Sequence, residues 1–218
     1  MVVGASPELC VVVLLTPTLK DDEVLTVQGA QALISMTGYG RDAHLYKNLE
    51  LDPPSAVHFS KWRRRTFLFM DALELDAHDT SQLTPDLLPG NVDRELQKAY
   101  TAFSSLRNCT QGFEVVVTGL WGCRSFGGNR QIKTIIRWLA ASLAGTKLLF
   151  VCAGKDHETF SVELRSFIKH CLNNRCITQD LLAALRGLSP TDQSASNAFE
   201  SVMAVCREET DTQGQLMP

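Results

Sequence analysis

The run from Phe113 to Ala153 most constrains what this chain can fold into: it is apolar, then glycine-broken, then amphipathic, then apolar again. Val115 to Thr118 is β-branched, which suits a pleated, buried strand. Four glycines (Gly119, Gly122, Gly127, Gly128) in the following ten positions exclude regular structure there. Ile132, Ile135, Ile136, Leu139 and Leu143 then recur at the three-and-four spacing of one helical face, with Arg130, Lys133 and Arg137 placed mostly elsewhere. Lys147-Leu148-Leu149-Phe150-Val151-Cys152-Ala153, bounded by Gly145 and Gly154, predicts a second buried strand parallel to the first. Strand, loop, helix and strand make a βαβ unit, whose crossover is almost always right-handed.

The loop is the chemically interesting part of that unit. At glycines a backbone can approach a ligand closely, and N–H groups at a helix start attract an anion, phosphate being the natural guest. The competing reading is a plain turn at Gly127-Gly128. The loop is neither Gly-x-Gly-x-x-Gly nor a P-loop, since no Gly-Lys-Ser/Thr follows, so spacing alone leaves both readings open. No acid stands about 20 residues beyond a proper fingerprint, which disfavours a dinucleotide-dependent oxidoreductase.

With 218 residues, 44% of them apolar, the chain can build one sizeable α/β core, or one domain plus a tail. A formal charge of −3 makes no broad electrostatic case for direct nucleic-acid binding. The one basic run, Arg63-Arg64-Arg65, leads into the apolar Thr66 to Met70 and reads as a solvated strand start in preference to a nuclear signal or phosphate patch, to either of which it could contribute. Seven scattered cysteines, an odd number, suit reduced thiols inside a cell better than a disulfide framework. No Cys-x-x-Cys or close Cys/His group offers a metal site, and no cofactor is expected. The apolar run Leu9 to Leu15 is too short to span a membrane and no positive charge precedes it, so neither a membrane anchor nor a signal peptide is expected.

Ser6-Pro7-Glu8-Leu9 has the grammar of a helix start, whereas Cys10 to Leu15 prefers a strand; the local pattern leaves this element open. Glu23 to Gln28 alternates like a strand, and Leu33 to Gly40 predicts a loop presenting Tyr39. Arg41 to Trp62 predicts loop, with a short strand near Val57 to Phe59. Thr66 to Asp71 predicts a strand ending on an acid that either caps the next turn or supplies a site carboxylate. After a Pro-containing connector, Asn91 to Phe103 predicts a capped helix burying Val92, Leu96, Ala99, Tyr100 and Phe103. Phe160 to Leu172, Thr178 to Leu188 and Ser196 to Cys206 predict three further helices before a frayed tail.

Four ordered motifs resemble the poly(ADP-ribose) glycohydrolase family. Gly119-Leu120-Trp121-Gly122-Cys123-Arg124-Ser125-Phe126-Gly127-Gly128 resembles its diphosphate loop, and Met36-Thr37-Gly38-Tyr39-Gly40 its Thr-Gly-Tyr segment. Met70-Asp71-Ala72-Leu73 is similar to its Asp-Ala-Leu strand end, and Arg94 to Tyr100 to its Arg-Glu-Leu-x-Lys-Ala-Tyr helix. Pro7-Glu8-Leu9 is similar to the start of a family helix, which tips the N-terminal element toward helix. The likeness runs over residues 7 to 190.

The resemblance implies an α/β, macrodomain-like mixed sheet flanked by helices, with additional C-terminal helices and the N-terminal part of the family domain missing. Residues 1–190 would form this partial domain and 191–218 a C-terminal helix and tail. It implies hydrolysis of ribose–ribose bonds in poly(ADP-ribose) with release of ADP-ribose, in the nucleus or cytoplasm. By position, Tyr39 would contact ADP-ribose, while Phe126 and the backbone of Ser125, Gly127 and Gly128, with Cys123 and Arg124 beside them, would cradle the diphosphate and distal ribose. Leu120 replaces an amide of the family, Arg124 a small residue and Ala153 an aromatic. The family's glutamate pair, set in a Gly-rich loop just upstream of the Pro-Glu-Leu helix, has no counterpart in Met1 to Ser6, and Glu208-Glu209 lies far away. Without an acid to protonate the leaving oxygen, glycoside hydrolysis loses its main source of rate. No catalytic residue is therefore assigned, and the alternative is a non-catalytic ADP-ribose-binding reader.

Overall fold

The computed structural model describes residues 2–4, 25–28, 35–37, 44–46, 66–76, 84–104, 113–123, 126–152, 158–191 and 197–205. Three strands form a mixed sheet in the order β1 (Val2–Gly4), β5 (Thr66–Met70), β2 (Leu25–Gln28). β1 runs parallel to β5 with Val3 opposite Phe69, and β2 runs antiparallel with Thr26 opposite Leu68. β3 (Ser35–Thr37) and β4 (His44–Tyr46) form a separate antiparallel pair, so short strands occur where the sequence predicted loop. Three-residue strands carry too little pattern to be read from alternation.

The central unit is built as predicted. β6 (Val115–Thr118) is parallel to β7 (Lys147–Phe150), with Val117 opposite Leu149, and α2 (Arg130–Ala144) connects them. α1 (Asn91–Ser104) packs extensively on α2, and β1 approaches β6. Gly145 ends α2 at φ 67°, and Thr146 N–H returns to Ala141 O (2.9 Å), so the last turn's carbonyls are satisfied where only glycine is unstrained.

Two predictions about this unit need correction. β7 is not a buried strand: Leu149 is 54% exposed and Val151 51%, because α2 covers only the face carrying Val116 and Thr118. On α2, Ile132, Ile135, Ile136 and Leu139 are buried as expected, but Leu143 is 47% exposed and Lys133 and Arg137 are fully buried. Every residue from Gln131 to Arg137 is buried, since α1, the strands and later helices surround that turn. On α1 the expected apolar face is buried except Tyr100, which is partly open, and Glu95 and Lys98 are buried with it.

α3 (Glu158–Asn173), α4 (Thr178–Arg186) and α5, over 198–205, complete the core. Phe199 of α5 stacks on Phe167 (4.6 Å) and Phe160 (6.0 Å), and Trp138 of α2 meets Phe167 edge-on at 5.8 Å. Gln131 joins the same region: its Oε1 accepts Phe199 N–H (3.0 Å) and its Nε2 donates to Glu163 (3.1 Å). A 3-10 turn, Pro85–Leu87, lies in the Pro-containing connector before α1. Pro7-Glu8-Leu9, Val57 to Phe59, Arg63 to Arg65 and the tail lie outside the described residues.

Candidate functional site

The glycine loop leaves the carboxyl end of β6 and returns to start α2, so it sits beside the carboxyl ends of two parallel strands, where α/β folds collect ligand sites. Its shape is held from within. Gly128 N–H donates to Gly122 O (3.1 Å), Cys123 bridges to Gly128, and Cys123 N–H donates to Leu120 O (3.3 Å). Phe126 O accepts Leu75 N–H at 2.8 Å, which ties the loop to the segment after β5.

Gly122, Gly127 and Gly128 each have a steric reason, whereas a Cβ on Gly119 would meet nothing within 4 Å. Gly122 and Gly127 have φ of 72° and 69°. A Cβ on Gly127 would lie 2.8 Å from Asp76 N, and one on Gly128 would collide with Gly122 O and come within 2.6 Å of Lys133 Cε. Phe126 is buried, 4% exposed, and anchors the loop in the core, while the adjacent Gly127 is exposed. Trp121 is buried under the loop and its indole N–H donates to Met70 O (3.1 Å). Leu120 is half-buried. Cys123 is buried; desolvation pushes its thiol up to about 11, against the pull of nearby Arg137 and Lys133, so it stays a neutral thiol at neutral pH. Tyr39, Arg124, Ser125, Ala153, Glu8, Glu208 and Glu209 lie outside the described residues.

The start of α2 is already served by the protein. Asn129 Oδ1 accepts from Gln131 N (2.9 Å) and Ile132 N (3.3 Å), while Asn129 N–H donates to Asp86 Oδ2 (2.8 Å). An anion at this loop would therefore rely on N–H groups of the loop itself rather than on those of the helix's first turn.

Beneath the loop lies a set of buried charges that sequence reasoning missed. Asp71 receives Arg94 Nη2 (2.6 Å) and Lys98 Nζ (2.7 Å). Glu95 Oε1 receives Arg94 Nη1 (2.6 Å) and Leu73 N–H (3.1 Å), and Glu95 Oε2 receives Lys133 Nζ (2.6 Å). Lys133 Nζ also lies 3.6 Å from Asp86 Oδ1 and 5.5 Å from the centre of the Trp121 ring. Three carboxylates thus face three cations, which is how buried charge is tolerated. Asp71, which the sequence offers as a cap or a site carboxylate, forms one end of this network. Arg137 stands apart: its Nη1 donates to Thr118 Oγ1 (3.0 Å) and to Gly119 O, its Nε donates to Lys133 O (3.0 Å), and its guanidinium lies 4.9 Å from the Phe150 ring centre. The overlooked signal was spacing: Lys133 and Arg137 are four apart, and Glu95 and Lys98 three apart, each pair sharing its helix with apolar residues that reach the core.

Among the described residues no group of three or more His, Cys, Asp and Glu side chains could hold a metal ion, and no helix is long and apolar enough to cross a membrane.

A mixed sheet flanked by helices, with a glycine loop at the ends of a parallel pair, defines an α/β domain of macrodomain type. The family model described as poly(ADP-ribose) glycohydrolase, Macro domain fold, matches residues 1–160. Poly(ADP-ribose) glycohydrolase 1 of Caenorhabditis elegans is 32% identical over 161 residues, covering 68% of this chain and 20% of that protein. Poly(ADP-ribose) glycohydrolase 2 of the same organism is 26% identical over 208 residues, covering 91% of this chain and 41% of that protein. The chain belongs to the poly(ADP-ribose) glycohydrolase family, and spans a fifth to two-fifths of the length of these relatives.

Proposed function

We propose that this chain binds the ADP-ribose unit of poly(ADP-ribose) at the 119–128 loop and that these 218 residues by themselves do not cleave it. The observation that carries the binding reading is the internally held loop at the carboxyl ends of β6 and β7. Its Gly127 is exposed at positive φ, and it belongs to a family whose named members are poly(ADP-ribose) glycohydrolases. The diphosphate would rest on the loop backbone from Cys123 to Gly128, with Phe126 anchoring it, Arg124 beside the anion and Tyr39 against the ligand. The reading of inactivity rests on chemistry. An O-glycosidic bond between riboses needs an acid at the leaving oxygen, and Met1 to Ser6, where the family likeness would place the glutamate-bearing loop, contain no carboxylate side chain. In this reading these residues supply an ADP-ribose-binding part of a poly(ADP-ribose) glycohydrolase fold, at work in the nucleus or cytoplasm.

Calorimetry with ADP-ribose, together with product analysis after incubation with poly(ADP-ribose), tests both halves. Heat of binding that disappears in Gly127→Val, with no free ADP-ribose released, is the expected result. Release of ADP-ribose by the purified chain would overturn the inactive reading, and absence of any heat would overturn the binding reading.

A further inference from the structure

We propose that Lys133 is a positioning residue for the glycine loop: its buried side chain holds the loop in the shape that ADP-ribose requires, without touching the ligand. The proposal rests on the binding reading above and goes beyond it. Lys133 projects from the first turns of α2 toward the underside of the loop and is fully buried. A Cβ on Gly122 would meet its Cε at 3.2 Å, and one on Gly128 would meet it at 2.6 Å, so the stem of Lys133 fills the space beneath both glycines. Its ammonium group is fixed from three directions: Glu95 of α1 at 2.6 Å, Asp86 of the 3-10 turn at 3.6 Å, and the Trp121 ring, 5.5 Å to its centre, from the loop itself.

The three contacts belong to different elements, and each is tied to the loop or its flanks. Asp86 holds Asn129 N–H, the last residue before α2. Glu95 holds Leu73 N–H, in the segment whose Leu75 N–H donates to Phe126 O. Lys133 therefore closes a circuit running from the strand-end segment 71–76 through α1 to the start of α2, with the loop clamped between its two ends. The second oxygen of Asp86, Oδ1, is buried without a hydrogen-bond partner, so Lys133 is the charge that makes its burial tolerable. A loop that must present several N–H groups to a diphosphate gains from being held before the ligand arrives, because order already present is not lost on binding.

The test uses the full 218-residue chain. Lys133→Met keeps the stem and removes the ammonium. Because this strands Asp86, whereas Glu95 keeps Arg94, the double variant Asp86→Asn with Lys133→Met accompanies it, as removal of both partners leaves a buried pair neutral. Leu185→Ala, a cavity variant in α4, supplies a comparable loss of stability away from the loop. Two readouts are taken on each folded variant: amide hydrogen exchange over 122–129, and ADP-ribose affinity by calorimetry. The expected result is faster exchange confined to 122–129, with affinity weakened roughly 10- to 100-fold, in the Lys133 variants but not in Leu185→Ala. Lys133→Arg, which keeps the charge but carries a broader head, is expected to recover part of the affinity. Unchanged loop exchange in the double variant, or loop exchange equally raised by Leu185→Ala, overturns the positioning role. If the native chain shows no ADP-ribose binding while loop exchange responds to Lys133→Met as expected, the binding reading fails and the positioning of the loop stands.

Discussion

Asp86 shows at the residue scale what burial does to a charged group. Burial lifts its carboxyl above the ordinary 3.8, against the opposing pull of Lys133 and the Asn129 N–H. Over the window between 3.8 and that raised value the folded chain keeps a proton that the unfolded chain has lost. Stability therefore falls as pH rises through the window, and the penalty is complete above it. Asp86→Asn retains an oxygen for the Asn129 N–H and has no such penalty. Melting temperatures taken from about pH 4 to neutral should show the native chain losing ground steadily to this variant. A native chain that instead gains on the variant with rising pH would mean that the attraction to Lys133 outweighs desolvation.

The elements were unevenly legible. β6, α2, β7 and the three C-terminal helices follow from apolar periodicity, because long segments with one buried face announce their period. β3 and β4 read as loop, since three residues are too few to show a period. The exposed side of β7 and the buried charges of α2 were misread for a common reason: a periodic stripe tells which residues face one neighbour, not how many neighbours an element has. α2 is enclosed on nearly all sides by α1, the β6–β7 pair and the later helices, whereas β7 is covered on one side only. The loop's glycines were legible as loop-makers, but their steric partners Asp76, Gly122 and Lys133 depend on tertiary contacts. At this scale α5 carries a prediction. Phe199 touches Phe160, Phe167 and, through its backbone, Gln131, so Phe199→Ala should cost about 3–5 kcal/mol in urea unfolding. A loss below about 1 kcal/mol would show that α5 is only loosely attached.

For the whole molecule, the match to the family model ends at residue 160, but the core does not. Leu164, Phe167, Cys171, Leu181, Ala184, Leu185, Ala198, Phe199 and Val202 are buried in one continuous cluster with Ile132, Ile135 and Leu139 of α2. A piece comprising residues 1–160 would expose one side of the helix that carries the loop. It should show no cooperative thermal transition where the full chain shows one; a sharp transition in that piece would establish a self-sufficient unit within the matched region. The three-against-three balance of Asp71, Asp86 and Glu95 with Arg94, Lys98 and Lys133 also bears on how such a chain can change over time. Asp71 has both Arg94 and Lys98, and Glu95 both Arg94 and Lys133, so these two keep a second partner when one cation is lost; Asp86 instead faces Lys133, and the departure best tolerated there is a paired one, an acid and a base lost together. In descendants and relatives Asp86 and Lys133 should drift as a couple, and a carboxylate kept at 86 beside a neutral residue at 133 would mark a lineage in which the ground beneath the loop has been rebuilt.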